Sequence, residues 1–126
     1  MYINGEWLKG GPTFSVYDPA TGETLDDVFD GNDGHAHLAI EAAARAQQSW
    51  ANQTAYQRSE LLYRAHGLML ERQSNLANLM TREQGKPLKA AMNEVKYAAD
   101  FLLWFAEEAK RVYGETIPSA RSDQRF

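Results

Sequence analysis

Between Pro87 and Gly114, apolar residues return every three or four positions: Leu88, Ala91, Val95, Ala98, Leu102, Phe105, Ala109 and Val112. That spacing predicts one helix with a continuous apolar seam of about seven turns. Pro87 suits its first turn, where a missing N–H is no loss, and Gly114 suits its end. A second row, Tyr97, Phe101 and Trp104, runs along an adjoining face. A helix apolar on more than one side needs partners on more than one side, so this segment demands more cover than an ordinary surface helix.

The rest of the chain offers three shorter helices as cover. Asn32 or Asp33 can cap one that carries Leu38, Ala39, Ala42, Ala43, Ala46 and Trp50 on a broad face. Thr54 is the candidate cap of the next, with Leu61, Leu62, Ala65, Leu68 and Met69 at helical spacing. Ser74 opens a third, with Leu76, Leu79 and Met80 inward and Gly85 closing it. Before them the chain reads as β-structure. Tyr2-Ile3 and Glu6-Trp7-Leu8 flank Asn4-Gly5, a dipeptide that supplies the positive φ angles of a tight hairpin. Phe14 to Tyr17 and Glu23 to Phe29 flank the turn Asp18-Pro19-Ala20-Thr21-Gly22. The expected architecture is mainly α: β-hairpins over 1–30, about four helices over 31–114 and an extended tail over 115–126. With 126 residues the chain has the length of one domain. Yet isolated hairpins are marginal in water, and the long helix has more apolar face than its neighbours can cover. The inventory therefore predicts a piece of a larger domain.

Composition narrows the function. Lys and Arg number 13 against 17 Asp and Glu, a net charge of −4, which argues against nucleic acid or an anionic membrane as partner. No apolar run approaches the roughly 18 residues of a membrane span. The opening residues lack a basic start and apolar core, so a cytoplasmic protein is expected. The absence of cysteine excludes thiol catalysis within these residues, disulfides and nearly all structural zinc sites. Asp30-Gly31-Asn32-Asp33-Gly34 faintly resembles a calcium loop, but Gly34 and His35 fail the fifth and sixth positions, which leaves a turn and a helix cap. His35 and His37, two apart, diverge by about 200° on a helix and cannot share a metal. His66 has no carboxylate at helical spacing. Gly10-Gly11 and Gly85-Lys86 match neither phosphate-binding glycine pattern. Glu107 and Glu108 are adjacent and point apart. No nucleophile–base or acid–base pair emerges from spacing.

Several stretches nevertheless resemble a known family. Tyr2-Ile3-Asn4-Gly5-Glu6-Trp7 and Val16-Tyr17-Asp18-Pro19-Ala20-Thr21-Gly22-Glu23 look like the opening of an aldehyde dehydrogenase, with Asp18 where Asn is commoner. The likeness continues through Ala42 to Trp50, Arg58, Leu61 and Leu62, and sharpens at Thr81-Arg82-Glu83-Gln84-Gly85-Lys86-Pro87. The run Trp104-Phe105-Ala106-Glu107-Glu108-Ala109-Lys110-Arg111-Val112-Tyr113-Gly114-Glu115-Thr116-Ile117-Pro118 is similar to the succinate-semialdehyde dehydrogenase branch. The resemblance implies an α/β parent with a Rossmann-like cofactor domain, of which residues 1–126 are the incomplete N-terminal part. It implies NAD or NADP in the full-length parent and none bound by this segment, since the glycine-rich cofactor turn and the catalytic cysteine, glutamate and asparagine have no counterpart here. It further implies a small aldehyde substrate, the remainder of the enzyme as partner and a homo-oligomer. Aligned on Trp104-Phe105-Ala106, the residues at the substrate tunnel are Asn93, Tyr97 and Phe101, with plain core aromatics as the alternative. A small helical interaction module without catalysis is the competing expectation. Either way the isolated chain is expected to self-associate.

Overall fold

The computed structural model describes residues 1–117 and 119–124. Its elements are β1 (Tyr2–Ile3), β2 (Glu6–Trp7), β3 (Thr13–Tyr17), β4 (Thr24–Phe29), α1 (Asp33–Ala51), α2 (Ala55–Glu71), α3 (Gln73–Gln84) and α4 (Leu88–Glu108), with a 3₁₀ turn over Ala109–Arg111. Two separate antiparallel strand pairs thus precede four helices. Pro118, Arg125 and Phe126, part of the expected tail, lie outside the described residues.

Local chemistry explains most boundaries. Asn4 at φ 54° and Gly5 at φ 83° turn β1 onto β2, where Tyr2 faces Trp7 with ring centroids 5.2 Å apart. In the β3–β4 turn, Asp18 Oδ1 accepts the Ala20 N–H at 2.8 Å and the Asp18 carbonyl accepts the Gly22 N–H at 2.8 Å. Asn32 caps α1 through a reciprocal box: its side chain accepts the His35 N–H at 3.2 Å while His35 Nδ1 accepts the Asn32 N–H at 3.1 Å. Thr54 and Gln57 repeat that box at α2. Gly85, at φ 69°, ends α3 in the left-handed conformation and donates to the Thr81 carbonyl at 2.8 Å.

Three expectations are corrected. The third helix begins at Gln73, not Ser74, and has no side-chain cap, because Arg72 alone separates α2 from α3 and an arginine side chain carries no acceptor for the free N–H groups. The long helix stops at Glu108, short of Gly114. Val112 and Tyr113 are 84% and 77% exposed, so no burial supports further turns. The seam is also rotated. Of the expected row, Ala91 and Val95 are buried and Leu102 and Ala109 half-buried, whereas Leu88, Ala98, Phe105 and Val112 are exposed and Ala99 and Ala106 are buried in their place. The alanines win because small side chains let α2 and α3 approach α4, where Ala91 packs with the equally small Ala77. On α3 the same rule leaves Leu76 and Leu79 exposed and buries Ala77 beside the half-buried Met80. On α1 only Ala42 is buried, and Leu38 and Trp50 are exposed.

The core is therefore thin: Ala77, Ala91 and Val95, with Met69, Met80 and Met92 against them. The chain exposes 10077 Å², whereas a free-standing globule of 14.2 kDa would expose about 6,800 Å². The surplus, about 3,300 Å², is roughly four times what one partner contributes to a standard interface. No described helix is long and apolar enough to cross a membrane.

Candidate functional site

The surplus surface has an aromatic centre on α4. Tyr97, Phe101 and Trp104 recur at i, i+4 and i+7, on the side turned away from the alanine contacts with α2 and α3. The Tyr97 and Phe101 rings meet edge to face, centroids 4.8 Å apart and planes at 78°. With Trp104 and Asp100 they line an open groove of about 170 Å³. Asn93 lies one turn before Tyr97 on the same stripe but does not line the groove. The structure thus brings Tyr97 and Phe101 together and leaves Asn93 at the approach. Asp100 escaped the reading of the sequence. Its signal was the Lys96 four residues earlier, whose ammonium now stands 2.6 Å from Asp100 Oδ2.

Side chains from α2, α3 and the α3–α4 junction hold the helix that presents this stripe. The His66 ring meets the Ala99 carbonyl at 3.0 Å, and since a carbonyl only accepts, Nδ1 carries the proton. Gln73 Nε2 donates to the Met92 carbonyl at 2.9 Å. Lys86, in the junction, forms an ion pair with Glu94. At the far end Tyr63 Oη donates to Glu107 Oε1 at 3.3 Å, and Lys110 sits over the Tyr63 ring. Desolvation of its ring surroundings, then the neighbouring Glu107 carboxylate, raise the Tyr63 phenol above its ordinary value, with Arg111 opposing.

The junction also ties in the hairpins. A Cβ added at Gly85 would stand 3.1 Å from Pro19 Cγ, so the turn of β3–β4 rests on the end of α3. Two of the stretches that resemble one family, around Pro19 and around Gly85, thus meet in space.

Chemically the groove is a wall. It presents ring faces and edges to an apolar chain, and its one ionised group is engaged by Lys96. The capping boxes occupy N–H groups at the starts of α1 and α2, Phe29 lies 3.2 Å from a Cβ at Gly11, and Pro19 closes on Gly85. Among the described residues no three His, Asp or Glu side chains cluster to hold a metal. His35 serves a helix cap and His66 an interhelical bond.

Known proteins share this arrangement. The aldehyde dehydrogenase family model matches residues 7–126. A glutarate-semialdehyde dehydrogenase of Pseudomonas putida is 52% identical, over 99% of this chain and 26% of that protein. An NADP(+) succinate-semialdehyde dehydrogenase of Escherichia coli is 47% identical, over 98% of this chain and 26% of that one. Among solved structures, an E. coli NADP-dependent enzyme superimposes with a TM-score of 0.94 at 47% identity, covering 98% of this chain and 26% of its own. Betaine aldehyde dehydrogenase of Staphylococcus aureus, solved with NAD+, gives 0.91 at 30% identity, covering 97% of this chain and 25% of its own. The chain spans about a quarter of the length of these relatives. On a match that runs from Trp7 through every helix described above, the chain belongs to the aldehyde dehydrogenase family.

Proposed function

We propose that this chain is the N-terminal part of the cofactor-binding domain of an NAD(P)-dependent aldehyde dehydrogenase that oxidises succinate semialdehyde to succinate as a homo-oligomer. The observation that carries the reading is the near end-to-end similarity to enzymes whose aldehydes bear a carboxylate at the other end. The surplus surface supports it, because about 3,300 Å² of extra exposure suits a segment covered by the rest of a domain.

In the parent, the cofactor supplies the hydride acceptor. The residues of this chain shape the path to it. Tyr97 and Phe101 form part of the tunnel wall against which the methylenes of the aldehyde lie, and Asn93 offers an amide at the approach. Ring packing against the methylenes excludes water and limits the aldehyde's poses, which is orientation rather than chemistry. No cysteine lies in these residues, so the thiolate that the reaction needs comes from elsewhere in the polypeptide. The isolated segment is accordingly inactive. The four- and five-carbon semialdehydes differ by one methylene, and such a difference in an apolar channel is worth roughly 1–3 kcal/mol.

The test is Tyr97→Ala in the full-length enzyme. KM for the aldehyde, or the preference between four- and five-carbon semialdehydes, shifts more than thermal stability does. A loss of stability with unchanged KM and preference refutes the wall assignment. Dehydrogenase turnover by the purified 126-residue chain refutes the assignment of chemistry to the rest of the polypeptide.

A further inference from the structure

Two ties hold the first half of α4, a third holds the junction just before it, and none belongs to the groove. Gly85 rests on Pro19, Gln73 holds the Met92 carbonyl, and Lys86 pairs with Glu94. The last tie is unlike the other ion pairs among the described residues. Those join residues two to four apart, whereas Lys86 and Glu94 are eight apart and bridge the junction to the second turn of the helix. The Lys86 side chain is 33% exposed, against 52–67% for the other paired cations. A more covered pair is less screened and better held. Its place on the helix matters too. Glu94, Tyr97 and Phe101 stand at i, i+3 and i+7, so the carboxylate lies one turn before Tyr97, beside the stripe on the side of α3.

We infer that the Lys86–Glu94 pair, seated by the Pro19–Gly85 contact, is a positioning device that sets the rotation of α4 and hence the placement of the Tyr97–Phe101 stripe. The left-handed residue at Gly85 is the pivot, and the pair is the strut across it. Side-chain atoms lie about 6 Å from a helix axis, so a rotation of about 10° carries a ring by about 1 Å. A displacement of that size at a tunnel wall changes how well an aldehyde is held. Lys86 and Glu94 thereby tune which aldehyde length is accepted, a consequence that rests on the tunnel-wall reading above.

The experiment uses Glu94→Gln, which keeps shape and removes charge, Lys86→Met as an independent break, and the exchange Lys86→Glu with Glu94→Lys. Kinetics are read in the full-length enzyme with the four- and five-carbon semialdehydes. Ring shifts of Tyr97 and Phe101 are read by selective-label NMR in the same full-length enzyme. Breaking the pair is expected to raise KM about three- to tenfold with kcat within about twofold, to alter the preference between the two aldehydes and to move the ring shifts. The exchange, which restores a pair of opposite sense, recovers most of both. Unchanged ring shifts and KM in both single variants overturn the proposal, whatever happens to thermal stability. Moved ring shifts with KM insensitive both to Glu94→Gln and to Tyr97→Ala support the strut and refute the tunnel-wall reading instead.

Discussion

Replacing Gly85 by Ala tests the junction on which the placement of α4 depends. Gly85 sits at φ 69°, and an L-residue in the left-handed region costs about 1–2 kcal/mol relative to glycine. The stiffer unfolded chain of the alanine variant returns about 0.4–1 kcal/mol of that. The new Cβ would meet Pro19 Cγ at 3.1 Å, below the ~3.5–4.0 Å at which carbon atoms attract, so a crowding term is added. The expected net loss is about 1–2 kcal/mol, read as a lower urea midpoint by far-ultraviolet circular dichroism. The two causes are separable. Gly85→Asn keeps the Cβ but tolerates the left-handed conformation, so it should lose only the crowding part. Pro19→Ala removes Cγ, so combined with Gly85→Ala it should recover about 0.5–1 kcal/mol in a double-mutant cycle. Should Gly85→Ala match the wild type, the backbone argument is wrong. Additive effects of Pro19→Ala and Gly85→Ala would show that the hairpin does not bear on the helix junction.

Other positions give shorter tests. Ala99 is fully buried between α4 and its neighbours, so Ala99→Leu should overpack the contact and cost about 1–3 kcal/mol in denaturant titration, with loss of the His66 bond visible in the imidazole NMR signals. Thr54→Ala removes the cap of α2 and should cost about 1 kcal/mol in the same titration. Tyr63 has its phenol raised above 10.0, so as pH climbs past that value the unfolded chain loses its proton first and stability falls through the higher folded value; Tyr63→Phe should flatten that alkaline loss in urea midpoints taken from pH 9 to 11. Finally, the isolated chain should self-associate in sedimentation velocity and bind a hydrophobic dye, whereas a sharp monomer with cooperative unfolding would mean that the helices cover one another better than their exposure implies.

The features legible in the sequence are those decided within a few residues. Asn4-Gly5 turns a hairpin because two successive residues need positive φ, and Asn32 and Thr54 start helices because a side chain three residues away completes each box. Gly85 stops α3 because only glycine adopts its φ freely. What depends on a neighbouring element was read less well. Hydropathy rightly placed Ala91 and Val95 in the seam of α4 and wrongly added Leu88, Ala98 and Phe105, because contact with α2 and α3 is set by how closely backbones approach, and that favours Ala99 and Ala106. Ser74 carries the right side chain for a cap and lies one residue inside a helix that needs none, since α2 runs into α3 through Arg72.

The same division explains why the candidate site was half visible. The row Tyr97, Phe101 and Trp104 is a helical pattern and could be seen, while its meaning depends on what lies outside the helix. In a self-sufficient domain three aromatics at that spacing would be core. Here the alanine face takes the core and leaves Tyr97 and Trp104 at 65% and 63% exposure, in a chain with surface to spare. A second copy of the chain would cover only about a quarter of the surplus in a standard interface. The proposed function instead brings cover on the scale of a domain's own interior, under which a groove on such a surface becomes a channel. On the reading proposed above, the aromatic row is a wall whose opposite side the rest of the enzyme supplies, and the struts at Lys86, Gln73 and His66 hold that wall in place from its own side.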